Sequence, residues 1–213
     1  MHITSTSLRG VAAVAALLAG LLFAGIQFVH PVDEVASVTT PMWAVTGWLT
    51  FAMACLGLIG VTGLYLRQVP QTGVLGLSGF ALLALFYVLT CAFTFAETLF
   101  LPLVADSAPA FTADFLGIVN GEGTGGTLGT LEAIGPLSGV LFMGGGLLLG
   151  VALFRARVLA RWAAALLALG AVVPLLTSFL PHGVGRFAAL PVAVALVGLG
   201  CSLWVHRRVE VRT

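Results

Sequence analysis

Glu97 is the residue in this sequence best placed to do chemistry, because it is a carboxylate inside a long apolar run. A charged side chain at the bilayer centre costs roughly 2.5–3.5 kcal/mol by insertion scales, so intramembrane carboxylates normally face a protein interior. At about 100° per residue, Tyr87, Thr90, Thr94 and Glu97 fall within about 80° of one another on a helix. They predict a polar stripe descending inward from the outer end of that helix, with Glu97 as its acid or base. The competing reading is an interfacial Glu reaching out to water, with the hydroxyls bonded to their own backbone carbonyls.

Other polar residues are expected at the same level. Gln27 and His30 share a face at the outer end of a first span, and Glu132 opens a fourth, where a carboxylate suits a helix N-terminus. Thr177, Ser178 and His182 close a fifth, and Arg186 opens a sixth. If the helices close into a bundle, His30, Glu97, Glu132, His182 and Arg186 line one outer pocket. Glu97 and Glu132 are then the catalytic candidates. Gln27, His30, Tyr87, Thr90, Thr94, Thr177, His182 and Arg186 are the ligand-binding candidates, with Arg186 the natural partner of Glu97 or Glu132. The alternative is a ring of unrelated interfacial residues.

Several chemistries are excluded. His30 and His182 each adjoin a proline at a helix end, and no dense ligand spacing surrounds them, so neither a metal nor a cofactor is expected. Cys55, Cys91 and Cys201 each fall in an apolar run at unrelated spacings, which is neither a disulfide framework nor a zinc site. They read as small packing residues. Gly121, Gly123 and Gly126 match GxGxxG formally, but no strand precedes them, so a nucleotide fingerprint is excluded. No basic cluster forms a phosphate-binding face, so nucleic acid is not a partner.

The elements that must position these residues follow from composition. The chain has 213 residues, 60% hydrophobic and 8% charged. A soluble domain carries roughly 25% charged residues, so this chain cannot cover a water-facing surface. We expect an all-α, polytopic membrane helix bundle, a single domain over residues 1–213. A span needs about 20 apolar residues. Six are expected: Val11–Val29, Met42–Leu66, Val74–Leu101, Ile134–Phe154, Val158–Leu180 and Phe187–Val205. The first is too long for a signal h-region and reads as retained.

Every basic residue is an arginine, and with the N-terminus inside, eight of the nine fall on the cytoplasmic side. Arg186 is the exception. Asp33, Glu34, Asp106, Asp114 and Glu122 then fall outside, and both termini are cytoplasmic. Such a protein sits in the cell membrane, in bacteria the inner one, as a multi-pass protein in contact with membrane lipids.

Small residues must hold the helices together, because apolar side chains gain little by leaving lipid. Gly135/Gly139 and Gly146/Gly150 stand at four-residue spacing, and Gly144–Gly146 form a run in mid-span, read as a site of tight packing. Pro174 and Pro191 are expected to kink the fifth and sixth helices. The connection 102–133 is the long one. A short helix from Pro109 through Val119, with Phe111, Phe115, Ile118 and Val119 largely on one face, followed by a glycine-rich stretch, predicts an outer lid or flap.

The stretches LRGVAAVAALLAGLLFAGIQFVHP, VTTPMWAVTGWL, GLIGVTGLYLRQ and AETLFLPLVA resemble a group of small uncharacterised multi-pass proteins common in GC-rich Gram-positive bacteria. They cover about the first half of the chain. The resemblance implies topology and no activity. From the residues, the leading functional reading is binding or transport of a lipid or small apolar molecule in an outward-facing pocket. The alternatives are an intramembrane enzyme using acid/base chemistry on an isoprenoid or other lipid, and a structural subunit, as a homo-oligomer or in a membrane complex.

Overall fold

The computed structural model of the chain describes residues 4–120, 128–177 and 186–209. Every regular element among them is helical. Six principal helices are α1 (Ser5–Val29), α3 (Pro41–Leu66), α4 (Val69–Leu99), α7 (Ile134–Ala156), α8 (Arg161–Thr177) and α9 (Leu190–Val209). Shorter pieces join them: α2 (Val35–Val38), α5 (Leu101–Val104), α6 (Pro109–Asn120) and two 3-10 segments, Gly129–Ala133 and Arg186–Ala189.

Among the described residues, five segments are long and apolar enough to cross a membrane: Ser5–Val29, Pro41–Leu66, Val69–Val104, Gly129–Ala156 and Arg186–His206. The fifth expected span begins later than Val158: its helix starts at Arg161, after Arg157 has taken a left-handed conformation (φ 58°) that ends α7, and the end of that span, 178–180, lies outside the described residues.

The start of the third span has a backbone cause. Gly73 sits at φ 56°, ψ −151°, a region open in practice to glycine, and it separates one turn at Val69–Thr72 from the long helix that begins at Val74. Pro191, expected to kink the last helix, instead lies in its first turn. The preceding 3-10 segment ends at Ala189, so the proline takes a position where no intrahelical N–H is needed. Pro174 is inside α8, as expected.

The six principal helices form a closed ring. Each packs on the next in chain order, and α9 returns against α1. Neighbours run antiparallel: Gly60 and Gly63 of α3 meet Ala16 and Ala12 of α1, Gly79 and Gly145 pair α4 with α7 at Leu149 and Leu83, and Gly200 and Gly20 pair α9 with α1 at Ala13 and Ala193. Alternation of six helices brings the start of α1, the α3–α4 turn, the α7–α8 turn and the end of α9 to one end of the bundle. Arg9, Arg67, Arg155, Arg157 and Arg161 lie in or beside those segments.

The run Gly144–Gly146 stays helical and serves packing. A Cβ on Gly145 would come within 2.6 Å of the Leu83 backbone nitrogen, and one on Gly146 within 2.5 Å of Ala171, so adjacent glycines admit α4 on one side and α8 on the other. The resulting core is made of small and branched residues, among them Ala16, Ala54, Leu149, Leu153, Ala163 and Leu199. Leu21, Leu85, Val88, Val140, Leu169 and Val194 point outward, an apolar belt suited to lipid.

At the opposite end a second cluster closes the top. Val38, Trp43, Leu101, Ala105, Phe115, Leu116, Ile118 and Leu128 are buried together there. Phe115 stacks on Phe93 at 4.8 Å, so the short helix α6 is docked on the bundle through Phe115, Leu116 and Ile118. Phe111, expected on the same buried face, is 41% exposed and meets Phe115 from the side. The following glycine-rich stretch, 121–127, lies outside the described residues.

Candidate functional site

A cavity of about 540 Å³ opens between α1, α3, α4, α7 and α8 at the end of the bundle opposite Arg9, Arg67, Arg155, Arg157 and Arg161. On α4 it is lined by Phe86, Thr90, Phe93, Thr94 and Glu97. These five occupy an arc of about 100° on the helix, and Phe86 to Glu97 is a rise of about 16 Å. The cavity therefore descends from the rim to about mid-bundle. α1 contributes Phe23, Ile26, Gln27 and His30; α3 contributes Thr50 and Met53; α7 contributes Ser138, Gly139 and Phe142. Leu116 of the docked helix α6 reaches the mouth, as do Asp33 and Arg186.

The polar groups lie toward the mouth. At the rim stand His30, Asp33, Glu97 and Arg186 beside Leu116 and Ile134; below them come the hydroxyls of Thr50, Thr90, Thr94 and Ser138 beside Ile26 and Phe93; the floor is Phe23, Met53, Phe86 and Phe142. The floor is a packed aromatic group, with the Phe142 ring 5.0 Å from Phe86 and 6.5 Å, edge to face, from Phe23. Gly139 keeps the wall open: a Cβ there would touch nothing nearer than the Met143 methyl at 3.7 Å.

Hydrogen bonding at the rim follows from helix ends. α1 stops at Val29, leaving carbonyls without partners in the helix. The Arg186 guanidinium donates to two of the carbonyls there, of Gln27 at 3.4 Å and His30 at 3.5 Å, so this cation caps α1. That is its observed role, in place of the expected pairing with Glu97 or Glu132. His30 Nδ1 lies 2.8 Å from the Pro31 carbonyl, which can only accept, so Nδ1 carries the proton. Asp33 Oδ1 is 3.8 Å from the same nitrogen. The edge of the His30 ring meets Trp43 at 5.5 Å, and the Trp43 indole N–H donates to the backbone carbonyl of Glu97 at 3.4 Å. Trp43 thus ties the last turn of α4 to α3, the turn that carries Glu97.

Three groups inside the cavity already donate to their own helices. Thr90 donates to the Phe86 carbonyl at 2.9 Å, Thr50 to the Thr46 carbonyl at 2.9 Å, and the Gln27 amide to the Phe23 carbonyl at 3.1 Å. What remains on these groups is acceptor capacity, and the Asp33 and Glu97 side chains add carboxyl oxygens.

Of the residues singled out in the sequence, Gln27, His30, Thr90, Thr94, Glu97 and Arg186 line this cavity. Tyr87 does not. It is one step past the edge of the lining arc on α4, 3% exposed, with its ring against Gly57 of α3 in the core. Glu132 sits in the 3-10 segment ahead of α7, outside the cavity lining. The side chain of Thr177, together with Ser178 and His182, lies outside the described residues. Among the described residues no group of three or more His, Cys, Asp or Glu side chains is placed to hold a metal.

Sequence reasoning passed over Asp33, Thr50, Ser138 and the phenylalanine floor. Asp33 was legible as an outer acidic residue three positions after His30. Thr50 and Ser138 carry no signal beyond a hydroxyl in an apolar run.

No protein-family model, no curated protein and no solved structure matches this chain. Function has to be read from the cavity.

Proposed function

We propose that the chain is a six-span protein of a bacterial inner membrane, both termini cytoplasmic, whose outward-facing cavity binds or passes a lipid or other small apolar molecule. The observation that carries this reading is the gradient of the lining, from carboxylates at the rim through hydroxyls to an aromatic floor. A single molecule with an apolar body and a small polar head fits that order end to end. The wall carries hydroxyls and carboxyl oxygens, so a head that both donates and accepts hydrogen bonds, such as an alcohol or an amide, suits it. Six spans are favoured because α8 holds a full place in the ring between α7 and α9. The clustering of the arginines at one end favours a cytoplasmic placement of that end.

The test uses the full chain in lipid nanodiscs and native mass spectrometry of the amphiphiles that stay bound. Gly139→Leu adds side-chain volume where only the Met143 methyl is near, so it should displace bound amphiphile with little change in thermal stability. Glu97→Gln keeps the shape and exchanges a carboxyl oxygen for an amide nitrogen, removing a hydrogen bond worth about 0.5–1.5 kcal/mol, so retention should fall about 2- to 10-fold. Equal retention in both variants and the parent overturns the reading. Glu97 in a cavity beside His30 and Asp33 also keeps acid/base chemistry on a lipid open as the second reading. In that case Glu97→Gln leaves binding within a few-fold and abolishes chemical change of the bound molecule.

A further inference from the structure

Cys55 of α3 and Cys91 of α4 lie far apart in the sequence, yet their Sγ atoms are 3.6 Å apart. Both thiols are free. The approach is a consequence of how the two helices are locked. Tyr87 lies in the space left by Gly57, and Thr98 in the space left by Gly47, so α3 and α4 are held in one antiparallel register along their length. Cys55 faces Cys91 in that same register. On α4, Cys91 stands about 40° from Tyr87, which is buried, and about 40° from Phe95, which is 42% exposed. The pair therefore marks the outer edge of the α3–α4 seam, below the Phe51–Phe95 ring contact, where both cysteines are half-buried. Outside that edge is the lipid-facing belt. Neither thiol lines the cavity, so the pair is separate from the site described above.

We propose that Cys55 and Cys91 form a dithiol–disulfide couple that exchanges electrons with a membrane-dissolved quinone. The reaction balances without another partner. Two S–H bonds break and one S–S bond forms; the two electrons and two protons reduce the quinone to its hydroquinone. A disulfide bond is about 2.05 Å long, so the sulfurs must close by about 1.5 Å, a movement on the scale of side-chain rotation. The product would staple α3 to α4 one residue away from Thr90 on the cavity wall. Cys201, exposed on α9, takes no part.

The experiment treats the full chain, reduced and in liposomes, with duroquinone, whose ring carbons are all substituted against thiol addition. After quenching, the protein is unfolded in detergent, alkylated and weighed intact. The expected result is a fall from three alkylated cysteines to one, restored to three by dithiothreitol. Cys91→Ser should show two alkylated cysteines with or without the quinone. Oxidised glutathione, confined to water, should act at least about tenfold more slowly than the quinone if access is from the lipid. Three alkylated cysteines after quinone treatment overturn the proposal, as does oxidation appearing only as dimers joined through Cys201. Equal rates for quinone and glutathione overturn the lipid-side route.

Discussion

A threonine whose hydroxyl bonds the carbonyl four residues back keeps its lone pairs and has no proton left to give. Thr90 and Thr50 are in that state, and the Gln27 amide has turned the same way. The acceptor capacity of these three side chains is thus a local property of their helices, present before any ligand arrives. Trp43 acts differently. Its indole N–H satisfies the Glu97 carbonyl in the last turn of α4, where carbonyls lack helical partners. Trp43→Phe preserves most of the buried ring and removes that bond. We expect a loss of about 0.5–1.5 kcal/mol in stability, read as a lower melting temperature in detergent, and weaker amphiphile retention because the Glu97 turn frays. Unchanged melting together with unchanged retention would show that the indole positions nothing.

The helices themselves are joined by glycine, and the glycines differ in what surrounds them. At Gly145 an added methyl would press on the backbone of Leu83, and a backbone cannot step aside as a side chain can. At Gly25, late in α1, an added methyl would meet nothing within 4 Å. Gly145→Ala should cost about 1–3 kcal/mol through overpacking, despite the better helix propensity of alanine. Gly25→Ala should be neutral or stabilising by about 0.5–1 kcal/mol. Thermal melts of the two variants side by side check both signs at once. Most of the small-residue faces are consumed inside the chain, between α1 and α9, α4 and α7, and α7 and α8. The idea of a structural subunit that offers glycine faces to a partner loses its motivation for that reason.

For the whole molecule, the closed ring makes one geometric demand. An even number of alternating helices brings the chain back to the end it started from. Arg9, Arg67, Arg155 and Arg157 gather there, while the mouth of the cavity and the docked helix α6 occupy the other end. Reporter fusions give the orientation. Green fluorescent protein after Thr213 should fluoresce, and alkaline phosphatase inserted at Asp106 should be active in the periplasm. The reverse pattern inverts the cavity to face the cytoplasm. An active phosphatase at Asp106 together with a dark fluorescent protein after Thr213 means that one of α7, α8 and α9 does not cross.

Much of this architecture was legible in residue types, because a bilayer imposes simple rules. Apolar runs of about 20 residues, arginine asymmetry and the break at Gly73 follow from desolvation and backbone sterics, which act locally. Even the polar stripe on α4 needed only the 100° step of a helix. That step could place Thr90, Thr94 and Glu97 on one face, yet it could not say that Tyr87, at the edge of the arc, would turn to Gly57 and the core. Contacts between helices were beyond reach for the same reason. Nothing local in the sequence says that Arg186 caps α1, that the phenylalanines of α1, α4 and α7 meet as a floor, or that Cys55 and Cys91 share a seam. Those are choices of register and neighbour, made by which glycines allow which backbones to approach. The membrane is written in the residue types; the cavity and its chemistry exist only once the ring has closed.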